Sequence, residues 1–107
     1  MSLEPMSVKE ALTSLDGLAG QDVAVRGLFC FEFEDVSLSH LPSSERADGD
    51  ASSLWLSVGW GSLRFDEAAC RRLRGRAVVV EGTLLKGPSG HMGLWPAEIR
   101  ARTLRRA

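Results

Sequence analysis

The segment DVAVRGLFCFEF, residues 22–33, carries an apolar residue or glycine at every odd position. Successive side chains of a β-strand point to opposite faces, so this period of two predicts a long strand with one buried face. The residues predicted to be buried are Val23, Val25, Gly27, Phe29, Phe31 and Phe33. A strand with one apolar face needs a sheet around it, and we therefore expect a mainly β protein.

In the next segment, EDVSLSHL (residues 34–41), the apolar positions change parity and fall on Val36 and Leu38. A slip of one residue within a strand is what a β-bulge produces, and bulges let one strand bend between two parts of a sheet. We therefore predict that the first strand is long, bulged and bent.

Four further strands and two short helices are predicted along the chain. The strand segments are SLWLSVGWG (53–61), SLRF (62–65), RAVVVEGTLL (76–85) and LWPAEIRARTL (94–104). A helix capped by Ser7 precedes the first strand and ends at Gly17 and Gly20, and a second runs from an Asp66 cap to Gly75. Residues 42–53 and the segment KGPSGHMG (86–93) are predicted loops.

The chain length of 107 residues suits one domain. We divide it into an N-terminal tail and short helix at residues 1–19 and a barrel at residues 20–107, and we give residues 1–5 no structural role. Without a signal peptide or an apolar span, the expected location is cytoplasmic and no membrane partner is expected.

Two segments repeat each other: GQDVAVRG from Gly20 and GRAVVVEG from Gly75. Each places a second glycine inside a strand, at Gly27 and Gly82, where a bend or a close backbone approach is expected. With a helix between strands three and four, the chain resembles the OB-fold, a five-stranded Greek-key barrel, over about residues 20–104. This resemblance implies a binding module whose ligand lies on strands two and three.

Charge divides the chain into unlike halves. Residues 1–50 hold 3 basic and 10 acidic groups, a net of −7, and residues 51–107 hold 10 basic and 4 acidic groups, a net of +6. A basic face is therefore available to a nucleic acid if the acidic half folds elsewhere. The predicted first loop, with Glu45, Asp48 and Asp50, would repel phosphate.

The sequence favours a protein without catalytic, metal or cofactor chemistry. His40 and His91 lie in no recognisable catalytic motif, and Cys30 and Cys70 lack the spacing of a zinc site. The cysteines are expected to be reduced and to behave as small apolar residues. No enzyme activity, metal or cofactor is therefore predicted.

The candidate binding residues come from strands two, three and five and from the last loop. Trp55 lies on the face of its strand opposite the face predicted to be buried. In proteins that bind single strands, an exposed aromatic side chain on this face stacks with bases. The alternative is that the N-terminal helix covers Trp55 and that Trp60 closes the end of the barrel, where both add apolar area to the core. The full candidate set is Trp55, Trp60, Arg64, His91, Arg100 and Arg102.

The last predicted strand has its buried face at Trp95, Ala97, Ile99 and Ala101. Pro96 lacks an amide donor, so its backbone is expected at an unpaired edge or a bulge. Two functions remain open: a protein-interaction or regulatory module, which near-neutral charge and the acidic loop favour, and a single-stranded nucleic-acid-binding protein.

Overall fold

A computed structural model describes residues 4–32, 35–40, 53–58, 67–90 and 93–107 of the chain. The elements are β1 (Met6–Ser7), α1 (Val8–Thr13), α2 (Leu15–Leu18), β2 (Asp22–Glu32), β3 (Asp35–Ser39), β4 (Ser53–Ser57), α3 (Glu67–Leu73), β5 (Ala77–Ser89) and β6 (Trp95–Arg106). The protein is therefore mainly β, as the alternation predicted. The prediction of five strands is wrong, because the sheet has six.

The sixth strand is β1, a two-residue segment that pairs in parallel with Val25 and Arg26 of β2. Its pattern is too short to be read from the sequence. The sheet order is β1-β2-β3-β4-β6-β5, and β2 also pairs with β5. The pairings among β2, β3, β4, β6 and β5 therefore form a closed circuit, because β5 pairs with β2. Strands β4 and β6 run parallel, and the other pairs within this circuit are antiparallel.

The prediction of one long bulged first strand is wrong. Strands β2 and β3 are separate and antiparallel, with Phe29 opposite Leu38 and Phe31 opposite Val36. In such a pair an odd residue of one strand shares a face with its even partner on the other. The change of parity that suggested a bulge is thus a reversal of chain direction between Glu32 and Asp35.

The buried face of β2 follows the predicted odd positions. Val23, Val25 and Phe29 are buried and Phe31 is half-buried, whereas Arg26 is exposed. Ala24 is also buried, although it has the outer parity. The core cluster of buried residues consists of Val8, Ala11, Val23, Val25, Phe29, Leu38, Leu54, Leu56, Cys70, Val78, Val80, Leu84, Ala97, Ile99 and Ala101.

The helices add apolar side chains to this core. Helix α1 inserts Val8 and Ala11, and α3 inserts Cys70. Ser7 caps α1 as predicted: its side chain accepts from the Glu10 N–H at 3.0 Å, and the Glu10 carboxylate accepts from the Ser7 N–H at 3.3 Å. The predicted first helix is in fact two, because α1 ends after Thr13 and α2 follows.

The last two strands contain two register shifts. One lies between the pairs Lys86–Ala97 and Ser89–Trp95, which places an irregularity opposite Pro96, as the missing proline donor predicted. The other lies beside Gly82, where the strand partner moves from Thr103 to Ala101. This second bulge changes the parity of β6, so that Leu104 packs against the core.

The repeated glycines Gly27 and Gly82 lie on the paired strands β2 and β5. A Cβ added at Gly27 would lie 2.6 Å from the Ser39 carbonyl oxygen, and one at Gly82 would collide with the Arg100 carbonyl. Both positions therefore require glycine for close backbone approach, as predicted.

Several predictions lie outside the described residues. These are the strand at residues 62–65, the turn at residues 59–61, the loop at residues 42–52, the helix cap at Asp66, and Phe33. Among the described helices, none has the length and apolar character needed to cross a membrane.

Candidate nucleic-acid or protein interface

The side of β3, β4 and β6 opposite the core carries a row of polar residues around one tryptophan. Cross-strand register places Trp55 between Ser37 of β3 and Glu98 of β6, and Ser57 opposite Arg100. We call this surface the Trp55 face. It comprises the partly buried Ser39, Trp55, Ser57 and Glu98, the exposed Arg100, and Ser37 and Ser53, which are buried with 2% and 8% exposure.

Trp55 lies on the predicted face but is not fully exposed. It is partly buried, and its ring packs against Trp95 with 4.8 Å between ring centroids and an interplanar angle of 56°. Gly90 adjoins both rings, since a Cβ there would collide with Trp55 and lie 2.8 Å from Trp95. One side of the indole is therefore used for packing, and the remaining surface is available to a ligand.

Trp95 is buried, as the sequence predicted, but its role differs from that prediction. It is 4% exposed, and its ring contact is with Trp55 rather than with the core cluster. Its indole N–H is buried and meets no hydrogen-bond acceptor among the residues that the structure describes. A buried donor without an acceptor costs about 1–3 kcal/mol, so this tryptophan pair is not optimised for stability alone.

The six predicted binding residues do not all converge on this face. Trp55 and Arg100 lie on it, whereas Arg102 donates from its guanidinium to the Asp22 carboxylate at 2.9 Å. Trp60, Arg64 and His91 lie outside the described residues, and their positions stay predictions.

Acidic groups of the first half of the chain neutralise basic groups of the second. Arg102 pairs with Asp22, and Lys86 pairs with Asp16. The hydrogen bond from Arg102, then that from Thr83, lowers the pKa of Asp22. The predicted basic face is therefore weakened at these positions.

The Trp55 face itself contains a carboxylate. Glu98 is the cross-strand neighbour of Trp55 and accepts a hydrogen bond from the Ser57 hydroxyl. At the end of β3, Asp35 accepts from the Ser37 hydroxyl at 2.6 Å. A phosphate placed on the exposed tryptophan surface would meet negative charge on both flanks.

Cys30 continues the same cross-strand row, opposite Ser37. Burial, followed by the charge of Asp35, raises the pKa of the Cys30 thiol to about 11. A thiol is nucleophilic only as the thiolate, so Cys30 remains protonated and unreactive near neutral pH. Cys70 is buried in the core, as the sequence predicted for a small apolar residue.

His40 has a structural position. It is 3% exposed, and its Nδ1 accepts a hydrogen bond from the Lys9 N–H at 3.2 Å, in the first turn of α1. In the described part of the chain, no group of three or more histidine, cysteine or acidic residues is placed to hold a metal ion.

A groove that was not predicted from the sequence lies between the end of β2 and α3. It has a volume of about 510 Å³ and is lined by Phe31, Glu32, Glu67, Arg71 and Arg74. Arg71 of α3 also suits the negative end of the helix dipole, and Arg74 directly follows the helix. The signal in the sequence was the group of arginines at positions 71, 72 and 74.

No protein-family model matches this chain, and no curated protein is significantly similar to it.

Proposed function

We propose that this chain is a non-enzymatic binding module built on an OB-like barrel. The order of pairings β2–β3–β4–β6–β5–β2, with β4 and β6 parallel, supports this proposal, since it is the closed circuit expected for a five-stranded Greek-key barrel. Helix α3 falls between the third and fourth strands of that circuit. In this view β1 is a short addition to the barrel.

The proposed ligand is a protein that docks on the Trp55 face. The observation that carries this choice is the position of Glu98, which is the direct cross-strand neighbour of Trp55. Partly buried aromatic side chains anchor protein interfaces, and polar groups form the rim around such an anchor. The indole N–H of Trp95, which is buried without an acceptor in the described part of the chain, supports a functional role for this corner, because functional sites retain groups that cost stability.

Single-stranded nucleic acid is the second candidate. The observation that favours it is Arg100, which lies on the same face as Trp55 and can approach a phosphate while a base stacks. The observation against it is the pairing of Arg102 with Asp22, which removes one of the cations that such binding needs.

Photo-crosslinking tests the protein partner. A photoreactive amino acid at Ser39, on the Trp55 face, is compared with one at Thr13, which is exposed on α1 and is not a member of that face. In extract from the source cells, the proposal expects a discrete crosslinked protein from position 39 only, abolished by Trp55→Ser. Equal crosslinking from position 13, or no dependence on Trp55, would contradict it.

Fluorescence titration tests the nucleic acid. We expect tryptophan emission to stay flat when a short oligothymidylate is added at low salt, where repulsion and attraction are both least screened. Saturable quenching that weakens steeply with salt and disappears in Arg100→Gln would replace the protein proposal with the nucleic-acid one.

A further inference from the structure

Exposed arginines gather at the end of the molecule where α3, the start of β5 and the end of β6 meet. The chain leaves α3 through residues 74–76 and enters β5, while Arg106 is the strand partner of Val78. The Ala107 N–H donates to the Ala77 carbonyl at 3.0 Å, which holds the residues after β6 beside this segment. We call this region the arginine end. It comprises Arg72, Arg74, Arg76, Arg105 and Arg106.

Most of this charge is not neutralised. Arg105 approaches Glu81 only to 3.9 Å. In the described ranges of the chain, Arg72, Arg74, Arg76 and Arg106 form no ion pair with an acidic residue, and all four are exposed. The contrast is with Arg102 and Lys86, whose charges are paired with acidic groups of the first half.

The groove opens onto the arginine end through Arg74, which lines it. Its apolar part is Phe31, whose half-buried ring stacks on Phe29 with centroids 5.9 Å apart. Arg71 and Glu67, which both line the groove, form an ion pair at 2.7 Å on successive turns of α3. The groove is open to solvent, and its volume of about 510 Å³ falls within the range of clefts that bind small ligands.

We propose that the groove and the arginine end bind an extended acidic segment of a partner protein that places one apolar side chain against Phe31. This inference rests on the proposed protein-binding function and adds the chemistry of the partner and a second contact surface. Acidic side chains of the segment pair with Arg74 and the other arginines of the arginine end, and the apolar side chain packs against Phe31 within the groove. The combination of charge and one apolar anchor gives both orientation and affinity.

A nucleic-acid backbone fits this surface less well. It presents a phosphate at every nucleotide, and the groove wall holds the carboxylates of Glu32 and Glu67 beside Phe31. A base stacked on Phe31 would bring its phosphates close to both acids. A peptide avoids this conflict, because its acidic residues need not adjoin the apolar one.

The test uses a fluorescein-labelled synthetic peptide, and anisotropy as the readout. The peptide has one phenylalanine, separated on each side by two glycines from a run of three glutamates. We expect saturable binding that weakens with salt. Arg74→Glu should weaken it about tenfold, and Arg74→Lys should retain most of it. The matched control is Arg26→Glu, which reverses an exposed arginine of β2 outside the groove and should change affinity less than about twofold.

Three results would overturn the inference. One is no saturation at low salt; another is equal loss in Arg26→Glu, which would indicate charge attraction without a site. The third is tighter binding of oligothymidylate than of the peptide, with the same dependence on Arg74. Circular dichroism of each variant checks that it remains folded. If the peptide fails while crosslinking at the Trp55 face succeeds, only this inference is lost and the proposed function stands.

Discussion

The strand β2 with its preceding helix and the strand β5 with its preceding helix are built on the same backbone frame. Gly20 and Gly75 both have positive φ, at 83° and 77°, and each begins a glycine-to-glycine repeat. The Gly20 N–H donates to the Leu84 carbonyl at 2.7 Å, and the Gly75 N–H donates to the Phe29 carbonyl at 2.8 Å. The two repeats thus pair with each other as if related by a two-fold axis.

The halves differ in what covers this frame. In the first half, helix α1 and the buried His40 lie beside the strand that contains Gly27. In the second half, the long bulged strand β6 with the small Ala101 lies beside the strand that contains Gly82. The first half contributes acidic groups and the second half arginines. The comparison teaches that glycine and valine positions specify the backbone, while the side chains outside the frame are free to acquire different functions.

The largest expected effect is the loss of stability on truncating either of two equivalent core positions, one in each half. Phe29→Ala should lower the free energy of unfolding by about 3–5 kcal/mol, and Leu84→Ala by about 2–5 kcal/mol, because both side chains are fully buried. Urea unfolding measures both. A loss below about 1 kcal/mol at either position would show that the two halves do not share one core.

The next effect compares the two inner glycines. Gly82→Val should cost about 3 kcal/mol, because its Cβ meets the Arg100 backbone, which cannot move without breaking the ladder. Gly27→Val should cost less, since two of its three nearest atoms belong to the side chains of Leu38 and Val8. The control is Gly17→Ala, where a Cβ meets nothing within 4 Å. An unchanged melting temperature in Gly82→Val would refute the close approach.

A smaller effect tests the feature found only in the first half. His40→Ala should cost about 2 kcal/mol, because it removes the acceptor of the Lys9 N–H in a buried setting. His40→Asn keeps an acceptor near the position of Nδ1 and should recover part of that loss. Thermal unfolding compares them, and equal destabilisation by both substitutions would show that packing, and not the hydrogen bond, is what His40 supplies.

The smallest effect concerns the charge pair that joins the halves. The pKa of Asp22 is lowered in the folded state, chiefly by Arg102, so the pair stabilises the fold above the ordinary aspartate pKa and this contribution is lost as pH falls through the folded value. The difference in stability between the wild type and Arg102→Gln should therefore shrink on acidification. Because both side chains are largely exposed, added salt should also reduce it. A difference that grows at low pH would contradict the assignment.

Period-two alternation predicted the buried face of β2 and of β6, and the repeat predicted the close approaches at Gly27 and Gly82. The alternation could not distinguish a bulge from a reversal of chain direction after Glu32, because both change the parity of the apolar positions. Strand β1 was missed because two residues carry no period. The pairing of Arg102 with Asp22 joins residues far apart in sequence, and only the strand register brings them together. The groove beside Phe31 depends on helix placement, which composition does not give.

The pairing of β2 with β5 also sets how this chain must fold. Its two ends join Leu28 to Ala77 and Asp22 to Thr83, which are separated by 49 and 61 residues. Neither repeat can complete its backbone hydrogen bonds until the other is present. The chain therefore loses the entropy of closing the long loop between the two repeats before the hydrogen-bond ladder stabilises their pairing. We expect refolding on the millisecond-to-second scale typical of non-local β topologies, with both repeats becoming protected from hydrogen exchange together.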